Sequence, residues 1–200
     1  RRVLFRSSGP LPERADEVDP RARYLAHIVE VCGSVADEVA ACVAAGELPV
    51  VLGGDHSVAL GTVCGLARHH GPGGALWIDA HGDLNTPETT PSGNVHGMVL
   101  AAALGLGGSR FDHPSLPRPA LLPEHVALVG TRELDPGERA LVDELGILVL
   151  TMSDVDRIGI ADAVNRALLR VMGAGFVHVS LDLDVVDPEQ APGVGRSEEH

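Results

Sequence analysis

Two hundred residues, 44% of them apolar, are enough to bury one sizeable core and form one domain. A net charge of -13 argues against binding a phosphate backbone or an anionic membrane, and 2% aromatic residues leave few stacking platforms for nucleic-acid bases. No apolar run approaches membrane-spanning length.

In chain order, residues 9–18 are polar and contain two prolines, so a loop is expected there. Asp19-Pro20 is expected to open a helix, with Asp19 as N-cap and Pro20 at the first position. Apolar residues from Leu25 to Val39 recur at helical spacing, and Gly46 is expected to close the helix. Pro49 to Leu52 reads as a short buried strand. Gly53-Gly54 then lets the backbone turn sharply, so that Asp55 and His56 can point into a cleft. A helix is expected over Val58–His70, ending at Gly71, and a strand over 75–78. A polar loop runs to Asn94, and 95–104 reads as helix. The segment 107–123, rich in Pro, Gly and Arg, is expected to be a long surface connection. Further strands are expected at 126–129, 147–150 and 176–181, with helices from Pro136 to Leu145 and over 160–172 between them. Apolar strands alternating with helices of this length indicate βαβ units and a mainly parallel sheet. Chemistry in such sheets gathers beyond the C-terminal strand ends.

The polar clusters fall at those ends: Gly53-Gly54-Asp55-His56-Ser57, Asp79-Ala80-His81-Gly82-Asp83 and Ser180-Leu181-Asp182-Leu183-Asp184. Asp79, His81 and Asp83 alternate, so in extended backbone they share a face at roughly 7 Å spacing. Asp182 and Asp184 repeat the arrangement from a second strand, and His56 adds an imidazole from a third. Carboxylates and imidazoles behind buried strands need something to offset their desolvation, and divalent metal is the simplest candidate. Two imidazoles and four carboxylates, with no thiolate, suit Mn²⁺ or a similar ion better than a structural zinc site. A metal pair about 3.5–4 Å apart can share a water and lower its pKa. His96 follows a turn containing glycine and asparagine. It is either a proton-transfer group or a structural helix-start histidine. His178, in a strand, reads as a packing or hydrogen-bonded residue. Cys32, Cys42 and Cys64 show no metal spacing and read as small hydrophobes in a reducing compartment, so a cytoplasmic location is expected.

These clusters, in this order, resemble the arginase and agmatinase family of ureohydrolases: Gly-Gly-Asp-His-Ser, Asp-Ala-His-x-Asp and Ser-x-Asp-x-Asp-x-x-Asp-Pro all stand here. The resemblance covers about Asp16 to Gly195. It implies a three-layer α/β/α sandwich around a parallel sheet, two Mn²⁺ ions, and assembly as a trimer or hexamer. It also implies that His56, Asp79, Asp83 and Asp182 hold one manganese and that Asp79, His81, Asp182 and Asp184 hold the other. Asp79 and Asp182 would bridge the pair, and Asp83 would orient the bridging hydroxide. The loop from Asn85 to Gly97 is similar to the arginase form rather than the agmatinase form. By that likeness Asn85, Ser92 and Asn94 hold an α-carboxylate, which agmatine lacks. Asp135 engages the α-amino group with Glu138 as a second contributor, although Asp135-Pro136 is also a good helix opening. The implied reaction is hydrolysis of L-arginine to L-ornithine and urea, with His96 shuttling protons. An agmatinase or another guanidino hydrolase would keep the metal site and change the distal pocket. A family member without activity would serve as an oligomer subunit, and a metal-dependent deacylase does not fit the 92–96 loop.

Both ends read as foreign. Arg2 to Ser7 and Arg196 to His200 resemble translated sequencing adapter. The expectation is one incomplete ureohydrolase domain over 8–195, with 1–7 and 196–200 as non-native ends. The family's later strands, and the glutamate that grips the guanidinium, are expected to lie beyond Gly195.

Overall fold

The computed structural model describes residues 19–187 and 189–191. The expected loop at 9–18 and the expected foreign ends lie outside them. Among the described residues four strands form one parallel sheet: β1 Gly73–Ile78, β2 Leu121–Thr131, β3 Leu148–Thr151 and β4 Val177–Leu181. Their spatial order is β3-β2-β1-β4. The chain therefore moves outward from β1 through β2 to β3, then crosses back to place β4 on the other side of β1. That reversal opens a crevice between the C-terminal ends of β1 and β4, the place where parallel sheets bind ligands.

Helices cover both faces, as the three-layer expectation required. On one face lie α1 Leu25–Ala44, α2 Val58–His70, α3 Val99–Ala103 and α4 Pro136–Leu145; on the other lie α5 Met152–Ile158 and α6 Ile160–Val171. The larger core joins Val29, Leu60, Val63, Trp77, Leu100 and Leu128. The smaller joins Leu76, Val129 and Leu150 to Ala163, Ala167 and Val171 along the apolar stripe of α6. α2 approaches α1 closely because Gly61 and Gly65 carry no Cβ. A methyl at Gly61 would lie 2.5 Å from the Cys32 carbonyl oxygen, and one at Gly65 2.7 Å from that of Ala36.

Three expectations need correction. The first helix begins at Leu25 and not at Asp19-Pro20. The Asp19 carboxylate accepts the Arg21 N–H and its carbonyl accepts the Ala22 N–H, closing a turn, and Tyr24 then takes a left-handed φ of 56°. The same cap chemistry serves turns and helix starts, and here the turn wins. The run from Pro49 to Leu52 pairs with no described strand, and Leu48, Val50 and Leu52 are 87%, 79% and 91% exposed. An apolar run suits a strand, but a strand forms only beside a partner. The 107–123 connection is no mere surface link: Phe111, Leu116 and Ala120 are buried, and β2 already starts at Leu121. A short helix not expected from the pattern, α5, is opened by Thr151, whose hydroxyl accepts the Asp154 N–H at 3.1 Å.

Candidate metal centre

Register builds the site. Ile78 pairs with Leu181, and the Asp182 N–H donates to the Ile78 carbonyl at 2.9 Å. The next residue of each strand, Asp79 and Asp182, therefore emerges side by side at the crevice. His56 arrives from the turn before α2. Its Nδ1 lies 2.9 Å from Asp79 Oδ2, 2.9 Å from Asp83 Oδ2 and 3.2 Å from Asp182 Oδ2. His81 Nδ1 lies 2.9 Å from Asp184 Oδ2 and 3.5 Å from Asp79 Oδ1. Asp79 thus turns one oxygen toward each histidine. The geometry yields two sets of potential cation ligands that share Asp79: His56 with Asp79 and Asp182, and His81 with Asp79 and Asp184. All six residues expected as ligands are brought together. Asp182 stands in the first of these sets and touches the 3-10 turn that carries Asp184. Its Oδ2 points to His56, while its Oδ1 accepts the Asp184 N–H at 3.0 Å.

The charge balance of this cluster calls for a cation. Burial alone would lower the His56 imidazole, but Asp182, Asp79 and Asp83 reverse that and raise it to about 12. Asp184 and Asp79 raise His81 to about 11 against a smaller opposing effect of burial. Burial pushes the Asp79 carboxyl up, but the adjacent His56 and His81 imidazoles outweigh it and hold the group well below the usual carboxylate range. Asp83 goes the other way: burial and then the neighbouring Asp79 charge push it up to about 7. His56 Nδ1, Asp79 Oδ2 and Asp83 Oδ2 are buried without hydrogen-bond partners of suitable geometry although they converge on one space. Orphaned donor atoms of this kind fit a metal.

A second layer holds the ligands. His56 Nε2 meets the buried Ser180 Oγ at 2.7 Å, which directs Nδ1 toward the carboxylates, and the ring stacks on Trp77 at 4.5 Å. Ser180 was given no role by sequence. It sits two positions before Asp182 in the same strand, so the alternation that marked the aspartates also marked it. His178, the previous residue of that parity, is a packing histidine that burial pushes down to about 4. Asp83 adopts a left-handed φ of 51°, and its carbonyl accepts the Leu100 and Ala101 N–H groups at the start of α3.

The expected substrate contacts split into two groups. Asn85 and Asp135 meet directly: Asn85 Nδ2 donates to Asp135 Oδ2 at 2.7 Å, while Asn85 Oδ1 accepts from Thr89 Oγ1 at 3.0 Å. Glu138, 4% exposed, uses one oxygen for the Leu84 N–H and the other for the Asp135 N–H, so it ties the Asp83 loop to the start of α4. Asn94 and His96 line a cavity of about 440 Å³ with Arg23, Tyr24, Ile28, Asp55 and Val95. Ser92 is exposed beside it and accepts the Asn94 N–H at 3.1 Å.

The profile of the Arginase family matches residues 13–200. The arginase of Bacillus caldovelox is 47% identical over 187 residues, covering 90% of this chain and 60% of that protein. Among solved structures, the arginase of Bacillus cereus aligns with a TM-score of 0.84 at 43% identity, covering 89% of this chain and 62% of that one. The arginase of Entamoeba histolytica, solved in complex with L-ornithine, aligns with a TM-score of 0.78 at 35% identity, covering 85% and 58%. The chain spans about 60% of the length of the curated relatives it matches. With its ordered motifs, its parallel sheet and its paired aspartate–histidine clusters, the chain belongs to the arginase family.

Proposed function

We propose that the protein carrying this sequence is a manganese-dependent hydrolase that splits L-arginine into L-ornithine and urea. The observation that carries this reading is the sharing of Asp79 between two ligand sets at the C-terminal ends of β1 and β4. His56, Asp79, Asp83 and Asp182 would hold one ion; Asp79, His81, Asp182 and Asp184 would hold the other. A bound manganese pair supplies the Lewis acidity that makes water nucleophilic near neutral pH. Asp83, buried and aimed at the shared space, accepts a hydrogen bond from the nucleophile and orients it toward the guanidinium carbon. His96, on the cavity wall, moves a proton between solvent and the departing ornithine nitrogen.

Ser92 and Asn94 meet the α-carboxylate of the amino acid, and Asp135 meets its α-amino group. Asn85 and Glu138 hold Asp135 for that contact, through its carboxylate and its backbone N–H. The ornithine complex of the Entamoeba histolytica arginase supports a product of this class. A homo-oligomer in the cytoplasm accords with the family resemblance and with three unpaired cysteines. No described helix is long and apolar enough to cross a membrane.

The test is urea release by the full-length, manganese-loaded protein, with arginine compared against agmatine. Preferential turnover of arginine is expected. Equal or better turnover of agmatine would overturn the substrate assignment, and no urea from either would overturn the reaction.

A further inference from the structure

We infer that Arg132 is a positioning residue that sets the second metal-ligand group, the one formed by Asp79, His81 and Asp184. The inference rests on the two-metal reading above. Arg132 lies just past the C-terminal end of β2, and its contacts reach both neighbouring ligand segments. Its N–H donates to the Ala80 carbonyl at 2.8 Å, between the ligands Asp79 and His81. Its guanidinium crosses to the segment after β4, where Nη2 donates to the Asp184 carbonyl at 2.6 Å and Nη1 to the Val185 carbonyl at 3.2 Å. The Ala80 N–H in turn faces Asp184 Oδ1 at 3.3 Å. These contacts close a ring through three strand ends, with Asp184 at one corner. Gly130 makes the fit possible: its φ is +87°, and a Cβ there would stand 2.5 Å from Val185 Cγ2.

The clamp answers a local weakness. β4 pairs only with β1 among the described strands, and Val179, Leu181 and Leu183 are exposed. Asp184 sits in a short 3-10 turn, Leu183–Val185, beyond that edge. The sheet alone fixes Asp182, whose N–H extends the β1–β4 ladder, but not a residue two positions on. A rigid two-donor guanidinium restrains the carbonyls that flank the Val185 peptide, and so aims the Asp184 carboxylate at His81.

The sign of the effect separates positioning from charge. Arg132 carries a positive charge near a cation site, so its removal on electrostatic grounds alone would strengthen metal binding. Positioning predicts the reverse. In the full-length protein, manganese titration with metal analysis and electron paramagnetic resonance should show two ions in the parent, with the signature of a coupled pair. Arg132→Met should keep one tight ion, weaken the second by about 10- to 100-fold, and show the signal of an isolated ion. Arg132→Lys, which keeps the charge and reaches one carbonyl, should fall between. Should the methionine variant fail to fold, the lysine variant decides alone on the affinity of its second site. Two ions bound with parental or greater affinity in the folded variants would overturn the inference, as would equal weakening of both sites. Fewer than two ions in the parent would overturn the two-metal reading on which it rests.

Discussion

Replacing Ser180 by alanine tests the second layer of the His56 site. The change removes one hydroxyl in a buried position and leaves the six ligand residues untouched. His56 Nε2 then loses its partner at 2.7 Å and faces an apolar methyl. An unsatisfied buried donor costs about 1–3 kcal/mol. Partners of metal-bound histidines are worth about 10- to 100-fold in metal affinity, which is about 1.4–2.7 kcal/mol. The two ranges agree because they describe the same lost contact. The stack on Trp77, with rings 20° from parallel, still restrains the imidazole, so the effect should fall in the lower half of that range. The assay is manganese titration of the full-length protein with metal analysis, alongside urea denaturation of the metal-free form. The His56 site should weaken and the His81 site should not, the opposite of the pattern expected for Arg132. Unchanged affinity at both sites, in a folded variant, would refute the claim that Ser180 orients the ligand.

Asp182→Ala should abolish the tight binding of both ions in metal analysis, and retention of two would count heavily against the bridging assignment. Asn94→Ala should raise the arginine KM more than it alters metal content in steady-state kinetics. His96→Ala should lower kcat by about 10²- to 10⁴-fold, the range of general acid–base catalysis, with both ions retained; loss of metal would make it a ligand instead. Manganese affinity should rise with pH across the neutral range, because binding must expel protons held on His56 up to about 12 and on His81 up to about 11. In the metal-free fold the sign reverses. Both imidazoles are raised above their ordinary value of about 6.5, so their stabilisation is complete below it and is lost only as pH climbs toward 11–12. Calorimetric titration in two buffers of different ionisation enthalpy measures the released protons directly.

Much of the site was readable before any fold was known, because its polar residues stand directly behind apolar strands. Asp79, His81 and Asp83 do gather there, but through a bend at 80–81 and a left-handed Asp83 and not along one face of extended backbone. The second layer was harder to read. Ser180 carries the right parity but is chemically unremarkable beside the aspartates. Arg132 has no meaning until β2 stands next to β1 and β1 next to β4. Glu138 also ties the Asp83 loop to α4 through two backbone partners, a link between distant segments that no local pattern marks. Asp19-Pro20 misled because helix caps and turns use the same side-chain chemistry. Pro49–Leu52 misled because an apolar run does not reveal whether a neighbouring strand is there to receive it.

The sequence by itself determined the alternation of strands and helices, the parallel sheet and the identity of the six candidate ligands, since these follow from periodicity and residue chemistry within short windows. Tertiary structure alone decided which oxygen of Asp79 faces which histidine, that Ser180 meets His56, and that the Arg132 guanidinium reaches the Asp184 carbonyl. Those choices depend on strand order and register. They bring together residues some fifty to a hundred and twenty positions apart, and no local pattern encodes that contact.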